Sequence, residues 1–326
     1  MTEPITPGEL MAVLEGPATE GALKGPGTEG ERRGVAASRA ATAWAHAGNF
    51  LVHLRLPFQL TLAPFMLWGA ALAGTRLGWR FALAFAVLQV CFYGGTTAFN
   101  SHYDKDEGPV GGLEAPPPPG PWLLPGSLAL QGLGLGLAAL VDPRFFGVCL
   151  LYATLGILYS HPSPRLKARP FGSWAVVMFG QGALGALAGF VATGTARLTA
   201  EAAWGLAGAA LLVGALYPLT QLFQTEEDGA RGDRTAAMVL GRRGTGAAAV
   251  LLSVLGAACM TLSANAGGRP FEALVLGGAC VPMSAGAIWA CQPVALRTVF
   301  RRVTVVQVGA GVGFGLYALF RLVTSQ

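Results

Sequence analysis

Long apolar stretches separated by short polar ones fill the chain from about residue 56 onward. Eight stretches have roughly the 17 to 25 residues that a helix needs to cross a membrane. They lie at residues 56–74, 79–100, 122–141, 172–194, 203–222, 246–264, 271–291 and 303–323. A shorter ninth stretch lies at 145–160, directly after Asp142-Pro143-Arg144. The pattern predicts an all-α membrane protein, a bundle of about nine transmembrane helices.

The composition agrees with this pattern. Hydrophobic residues make up 53% of the chain, charged residues 12%, and the mean hydropathy is +0.52, whereas about 25% of the residues in a soluble domain are charged. The 47 glycines lie largely inside the apolar stretches, where small residues let membrane helices approach closely. The five cysteines also lie in apolar stretches, without CxxC spacing, which predicts buried thiols rather than disulfides or a metal site.

Residues 1–45 differ from the rest of the chain. They are rich in Gly, Glu, Ala, Pro and Thr and contain no hydrophobic core of a signal peptide. We therefore expect a disordered cytoplasmic tail over 1–45 and a membrane domain over 46–326. Residues 38–55 are predicted to lead into the first span, and a helix lying along the membrane interface is the alternative.

The Lys and Arg residues predict the orientation, because positive residues favour the cytoplasmic side of a membrane. With nine spans and a cytoplasmic N-terminus, 16 of the 22 Lys and Arg residues lie inside. This predicts an integral protein of a bacterial-type inner (cell) membrane, with its C-terminus extracytoplasmic. The same bias accounts for the net charge of +5, so membrane lipids, and not a nucleic acid, are the expected surroundings.

Two polar stretches interrupt the apolar pattern and carry acidic residues. In Gly94 to Pro109, GGTTAFNSHYDKDEGP, Asn100 and Asp104 are four residues apart and share one helix face. In Tyr217 to Gly241, YPLTQLFQTEEDGARGDRTAAMVLG, Gln224 and Asp228 repeat that spacing. The orientation places both stretches on the cytoplasmic side. Mg²⁺ is typically held by one or two carboxylates together with phosphate and water, so the two stretches suit Mg²⁺ and a diphosphate.

A third polar stretch supplies cations. Leu158 to Gly172, LYSHPSPRLKARPFG, joins the fourth and fifth spans and carries Arg165, Lys167 and Arg169. Positive-inside bias alone would explain these charges but not the polar pair Tyr159-Ser160 or Gln181 in the predicted Gly180-Gln181-Gly182 turn. Polar groups within a membrane are costly and are more often functional than incidental.

These motifs resemble the UbiA superfamily of membrane-embedded prenyltransferases. The similarity rests on N-x-x-x-D after the second span, Y-S-x-x-P-x-R-L-K after the fourth, and an Asp-rich stretch ending in G-x-x-T after the sixth, within about residues 50–325. It implies Mg²⁺-dependent transfer of an isoprenyl chain from a prenyl diphosphate to an aromatic or other hydrophobic acceptor, in a bundle with a central cavity opening to the cytoplasmic side.

The resemblance and the polar stretches together predict the site residues. The expected metal ligands are Asn100, Asp104, Asp106, Glu107, Gln224, Glu227 and Asp228, with Asp104 and Asp228 as the catalytic pair. The expected diphosphate-binding residues are Lys105, Arg165, Lys167, Arg169, Arg231 and Arg234. The expected substrate-binding residues are Asn100, Tyr159, Ser160, Gln181 and Gln221. His102, Tyr103 and His161 are candidates for accepting a proton from the acceptor.

Two positions depart from the family pattern. Gly108 stands where the first motif usually has a second Asp, and Gln224 stands where the second motif usually begins with Asp. For the first position, Asp106 or Glu107 is the candidate substitute, from a different angle. For the second, either Glu226 or Glu227 compensates, or one metal ion is bound more weakly. A relative that binds prenyl lipid without catalysis and an ion-coupled transporter are the alternative functions. No acidic residue lies well inside a span and no internal repeat is evident, which disfavours a transporter.

Overall fold

The computed structural model describes residues 29–75, 77–194 and 197–324, with side chains from Ala41 onward. We number its helices in chain order. They are α1 (Glu29–His53), α2 (Leu56–Gln59), α3 (Ala63–Ala73), α4 (Trp79–Asp104), α5 (Leu123–Val141), α6 (Pro143–Ser160), α7 (Pro170–Ala192), α8 (Ala200–Phe223), α9 (Thr225–Ala230), α10 (Ala236–Ala266), α11 (Pro270–Ala290) and α12 (Leu296–Thr324).

The predicted membrane bundle is confirmed. Within the described residues, eight helices are long and apolar enough to cross a membrane, namely α4 to α8 and α10 to α12. The predicted first span is bent, because Ala41–Gln59 and Ala63–Ala73 meet at 48°. Pro57 lies in the first turn of α2, just before the bend, and Pro64 lies in the first turn of α3, just after it; in a first turn the missing N–H costs the helix nothing. Counting the bent pair as one span gives nine.

The short predicted span at 145–160 is a helix of 18 residues that begins at Pro143. Asp142 caps it, since its Oδ1 accepts a hydrogen bond from the backbone N–H of Arg144 at 2.8 Å. An Asp at the cap satisfies one of the amides that a helix leaves free at its N-terminus. The polar residues before this span therefore start it rather than shorten it.

The N-terminal segment is only partly described. Residues 1–28 lie outside the described residues, so the disorder expected for them stays a prediction. From Glu29 the backbone is helical as far as His53, and the predicted boundary at residue 45 stays a prediction. Contacts divide the chain after Ala45, and the bundle described below consists of residues 46–324.

Glycines let two of the spans touch backbone to backbone. A Cβ atom added to Gly69 of α3 would lie 1.7 Å from the carbonyl oxygen of Ala186 in α7. The reverse holds for Gly189 of α7, where a Cβ would lie 1.9 Å from the carbonyl oxygen of Met66. Small residues at such crossings allow membrane helices to pack closely. The close approach of helices that the glycine content predicted is therefore present here.

Two spans contain π-helical segments, Val87–Gly94 in α4 and Met178–Leu184 in α7. Gln181 lies in the second segment, so Gly180-Gln181-Gly182 forms one turn of a continuous span. A π-helical segment displaces side chains from the regular helical positions and often occurs at functional sites. Tyr93 and Gln181 from these segments both line the central cavity.

Candidate active site

A cavity of about 700 Å³ runs through the bundle, lined by residues from α2 to α4, α6 to α8 and α10 to α12. Its polar end lies where α4, α6 and α8 finish. We define this polar end by its charged and amide side chains: Asn100, Asp104, Asp106, Lys167, Gln224, Asp228 and Arg231. The rest of the wall is mainly aliphatic and aromatic. A charged end and an apolar interior suit a ligand that has the same two parts.

The first acidic stretch lies at the end of α4. The helix ends at Asp104, followed by Lys105 in a left-handed backbone conformation with a φ of 53°. Asn100 and Asp104 share a helix face as predicted, and Asn100 Nδ2 donates a hydrogen bond to Asp104 Oδ2 at 2.7 Å. Asp104 and Asp106 are buried and line the cavity. Lys105 and Glu107 are exposed on the surface instead.

The second acidic stretch follows α8 and includes the short helix α9. Asp228 is buried and lines the cavity. Its backbone N–H donates to the carbonyl of Gln224 at 2.8 Å, so the two residues are one turn apart, as their spacing predicts. Gln221 and Gln224 also line the cavity. Glu226 is exposed, while Glu227 is half-buried but lies outside the cavity wall.

The loop between α6 and α7 brings one buried cation to the cavity. Lys167 Nζ forms an ion pair with Asp104 and lies 3.7 Å from Asp233 Oδ2. Arg165 donates two hydrogen bonds to the Asp233 carboxylate, of 2.8 and 2.9 Å, and lies behind the wall. Arg169 is exposed. Of the three predicted cations of this loop, only Lys167 faces the cavity.

Arg231 joins the two acidic stretches. Its guanidinium donates to Asp106 Oδ1 at 2.7 Å and to Asp228 Oδ1 at 2.8 Å. It also donates to the carbonyl oxygen of Asp104 at 3.1 Å and to Glu227 Oε1 at 3.3 Å. Because a guanidinium is planar and has five N–H groups, it can bridge several carboxylates at once. The two stretches that the sequence separates by more than 100 residues therefore meet around one side chain.

The same contacts set the electrostatics of the second stretch. Burial raises the pKa of the Asp228 carboxyl group, and the neighbouring Arg231 guanidinium opposes that shift. For Arg231, burial would lower the pKa, but the hydrogen bonds to Asp228 and Asp106 outweigh it and the pKa is raised. Arg231 therefore stays charged, and its presence limits the rise in the pKa of Asp228 that burial causes.

The predicted site residues thus fall into two groups. Those that line the cavity are Asn100, Asp104, Asp106, Tyr159, Ser160, Lys167, Gln181, Gln221, Gln224, Asp228 and Arg231. Those that do not are Lys105, Glu107, Arg165, Arg169, Glu227 and Arg234. The second group lies on the outer faces of the same loops, because a loop presents neighbouring side chains to opposite sides.

The three candidate proton acceptors also lie outside the cavity wall. Their rings pack edge to face, with 4.9 Å between the ring centroids of His102 and Tyr103 and 5.7 Å between those of Tyr103 and His161. None of the three lines the cavity. This geometry disfavours them as groups that contact a bound substrate.

A chain of hydrogen bonds holds two phenols at the cavity wall. The hydroxyls of Tyr159 and Tyr217 are 2.8 Å apart, and Gln221 Nε2 donates to the Tyr217 hydroxyl at 2.9 Å. The backbone N–H of Ala237 donates to Gln221 Oε1 at 3.2 Å. An N–H can only donate, so this contact settles which way the Gln221 amide points. The sequence identified Tyr159 and Gln221 but not Tyr217, the residue that joins them.

Sequence reasoning also missed Arg55, which is not among the predicted site residues. Its side chain is buried, with Nη2 donating to Ser101 Oγ at 2.6 Å and lying 3.9 Å from Asp106 Oδ2. It lines the cavity at the start of α2. The signal in the sequence that could have identified it is the position of a lone arginine directly before an apolar span. Asp233 was likewise noted as acidic, but its pairing with Lys167 and Arg165 could be seen only in three dimensions.

Glu227 fills the space left by Gly108. Its Oε1 accepts a hydrogen bond from the backbone N–H of Glu107 at 2.9 Å. A Cβ atom added to Gly108 would lie 2.9 Å from Glu227 Oε2. A side chain at position 108 would therefore require the flexible end of the Glu227 side chain to move aside. Glu227, and not the exposed Glu226, is the glutamate that contacts the first acidic stretch.

The donor groups at the polar end fit Mg²⁺ in their chemistry. They are carboxylate and amide oxygens, and Asn100 Oδ1 is buried without a hydrogen-bond partner in the described part of the chain. No three His, Cys, Asp or Glu side chains among the described residues surround one point closely enough to hold a metal by themselves. Mg²⁺ takes many of its ligands from phosphate and water, so one or two carboxylates from each stretch are sufficient.

Comparisons with known proteins identify the family and the fold. The family profile of the UbiA prenyltransferase family matches residues 62–306. A UbiA homolog from Archaeoglobus fulgidus bound to DMAPP and Mg²⁺ has a TM-score of 0.62 and 18% identity, covering 83% of this chain and 98% of the homolog. The same homolog bound to GPP and Mg²⁺ has a TM-score of 0.62 and 16% identity, with 83% and 99% covered.

A second structure, of a UbiA homolog from Aeropyrum pernix K1, has a TM-score of 0.59 and 18% identity and covers 79% of this chain and 97% of that one. At these identities the likeness shows a shared fold. A comparison with curated protein sequences found no match.

Proposed function

Because the chain belongs to the UbiA prenyltransferase family, we propose that it transfers an isoprenyl chain from a prenyl diphosphate to an aromatic or other hydrophobic acceptor, with Mg²⁺ as cofactor. The observation that carries this proposal is the polar end itself. There, carboxylates and cations from three loops meet at one end of an otherwise apolar cavity. The Archaeoglobus relative binds DMAPP and GPP together with Mg²⁺, which supports the same ligands here.

The residues at the polar end would hold the diphosphate and the metal. Asn100, Asp104 and Asp228 offer oxygens for Mg²⁺, and Gln224 offers a neutral amide oxygen. When bound, Mg²⁺ neutralises part of the charge that develops on the diphosphate as the allylic C–O bond breaks. Lys167 contributes a further positive charge at the same place.

Arg231 and Lys167 act on the leaving group directly. Both face the cavity while paired with carboxylates, so their charges are already in position before a substrate arrives. Cations aimed at the place where negative charge develops lower the barrier to bond breaking, and they do so best when little reorganisation is needed. The mainly apolar wall beyond them keeps water away from the allylic cation until the acceptor reacts.

The proposal is tested with purified protein in nanodiscs made from lipids extracted from the host membranes, which supply the hydrophobic acceptor, together with geranyl diphosphate and Mg²⁺. We expect diphosphate release from the wild type, and none after Asp104→Ala or Asp228→Ala. Glu226→Ala is the matched control, because this carboxylate lies in the same stretch but is exposed. Lipid analysis of cell membranes with and without the protein identifies the prenylated product and hence the acceptor.

The opposite results decide between this proposal and the alternatives. Full activity of Asp104→Ala would remove that residue from the mechanism. Tight binding of geranyl diphosphate without diphosphate release in any membrane preparation would favour a lipid-binding relative that lacks catalysis.

A further inference from the structure

A second group of charged side chains lies at the end of the bundle opposite the polar end. Glu201 lies in the first turn of α8, while the polar end lies beyond the last turn of the same helix. Arg269 forms ion pairs with Glu201 and with Glu272, the latter at 3.2 Å. Arg321 lies 3.2 Å from Glu272 and 3.5 Å from Glu201. Two arginines and two glutamates thus tie α8, α11 and α12 together.

One cavity residue is attached to this network. The Tyr317 hydroxyl donates to Glu272 Oε2 at 2.7 Å, while Tyr317 also lines the cavity. Arg321, one turn further along α12, is only 5% exposed. A buried ion pair costs much of its attraction in lost hydration, so such pairs are poor evidence of stability and need another explanation. The explanation that the structure offers is that this network holds Tyr317 in one orientation.

Tyr317 belongs to an aromatic cluster at the far end of the cavity. Its ring lies 5.7 Å from that of Trp68, centroid to centroid, and Phe314 lies 5.8 Å from Trp68 and 5.4 Å from Phe65. Trp68 is fully buried and donates a hydrogen bond from Nε1 to the carbonyl of Gly205 at 3.1 Å. Aromatic rings packed at these distances and fixed by hydrogen bonds form a rigid wall.

The depth of the cavity follows from α12. Phe300 lies beside Phe223, the residue before Gln224, with ring centroids 5.2 Å apart, so this part of α12 is level with the polar end. Thr304 lies one turn further along and lines the cavity. Tyr317 is then about 20 Å beyond Thr304, at a rise of about 1.5 Å per residue. A prenyl chain extending from a diphosphate at the polar end would run toward Tyr317.

From these contacts we propose that Tyr317 closes the far end of the cavity and limits the length of the prenyl chain that the protein accepts. Glu272 and Arg321 are positioning residues that hold it there. The proposed occupant of the space beside Tyr317 is the last isoprene unit of the chain. This inference rests on the proposed function, because it concerns the chain of the same prenyl diphosphate.

Variants of Tyr317 test the proposal. The full-length protein in nanodiscs of extracted host lipids, which supply the acceptor, is given Mg²⁺ and geranyl, farnesyl, geranylgeranyl and longer prenyl diphosphates in turn. The kcat/KM for diphosphate release is measured for each. Tyr317→Ala is expected to shift the preference toward a chain at least one isoprene unit longer, by about tenfold in the ratio of kcat/KM values, as expected for added apolar contact in a pocket. Tyr317→Trp is expected to shift the preference toward shorter chains.

The matched control is Phe320→Ala on the same helix, where the ring is 56% exposed and does not line the cavity. It should leave the length preference unchanged. Glu272→Ala tests positioning: the preference should broaden toward longer chains while kcat for the shortest substrate stays near that of the wild type. A residue with a purely structural role would lower kcat for every chain length alike.

The proposal is overturned if Tyr317→Ala and Tyr317→Trp are active and show the wild-type preference, since the chain then leaves the cavity sideways between helices. If the wild type releases no diphosphate, the proposed function fails, and the affinity for each prenyl diphosphate is measured instead. A length limit in binding that moves with Tyr317 would still support the closed end, and an unchanged limit or no binding would contradict it.

Discussion

Arg231 and Arg234 lie three residues apart in the same loop, and the sequence gives them the same expected role. The structure separates them, because Arg231 bridges Asp106 and Asp228 whereas the Arg234 side chain is exposed. Replacing each with Met therefore tests whether the bridging contacts matter or only the positive charge of the loop. The expected result is a large effect for Arg231→Met and a small one for Arg234→Met.

The size of the effect can be worked out from burial. The side chains that Arg231 holds are 4% exposed for Asp106 and 10% for Asp228. Removing one partner of a buried ion pair costs about 3–5 kcal/mol. Since the Arg231 side chain is itself 19% exposed, we expect the lower end, about 3 kcal/mol. Losing one charged hydrogen bond to a diphosphate oxygen costs about 1.5–3 kcal/mol, which weakens binding by roughly tenfold to a hundredfold.

Two measurements in nanodiscs check this prediction. One is the thermal unfolding temperature without ligand, and the other is the dissociation constant of geranyl diphosphate in the presence of Mg²⁺. Arg231→Met should lower the first and raise the second, while Arg234→Met should change neither by more than the error of the assay. Arg231→Lys should recover only part of the loss, because an ammonium group cannot bridge two carboxylates in the same plane. Equal losses for both Met variants would refute the reasoning.

The remaining predictions concern the motif departures and the orientation. Gly108→Asp restores the usual family residue and should leave the thermal unfolding temperature nearly unchanged, because the atom that a new side chain would meet is the end of the flexible, half-buried Glu227 side chain, which can move aside. A clearly lower unfolding temperature would contradict this. Gln224→Asp adds a charged oxygen at the cavity wall. It should therefore lower the Mg²⁺ concentration for half-maximal diphosphate release by about tenfold, or about 1.4 kcal/mol. An unchanged Mg²⁺ concentration would mean that Gln224 is not a ligand. A reporter fused after Gln326 should be extracytoplasmic, and a reporter inserted between residues 227 and 243 should be cytoplasmic. If both reporters lie on the same side of the membrane, the nine-span orientation is excluded.

Apolar periodicity and length were sufficient to predict the spans. Nearly every predicted stretch coincides with a helix to within a few residues, apart from the long α10 and α12, which extend beyond theirs. A helix in a membrane satisfies its own backbone hydrogen bonds, so its existence depends on local composition and not on distant partners. The same locality explains why the i and i+4 pairs, Asn100 with Asp104 and Gln224 with Asp228, were placed correctly.

The direction in which loop side chains point could not be predicted from the sequence, because it depends on contacts between segments far apart in the chain. Lys167 faces the cavity since Asp104 and Asp233 receive it there, while Arg165, two residues earlier, turns away to Asp233 alone. Glu227 could be recognised as the partner of the first stretch only once Gly108 lay against it.

The sequence by itself therefore determined the class of molecule, its helices and the residue types that meet at the polar end, since these follow from composition and local spacing. Tertiary structure alone decided which of those residues share the cavity. It also joined Arg55 to the site and placed Tyr317 at the far end. The physical reason is that charges and rings are positioned by partners on other helices, whose approach depends on packing that no local pattern encodes.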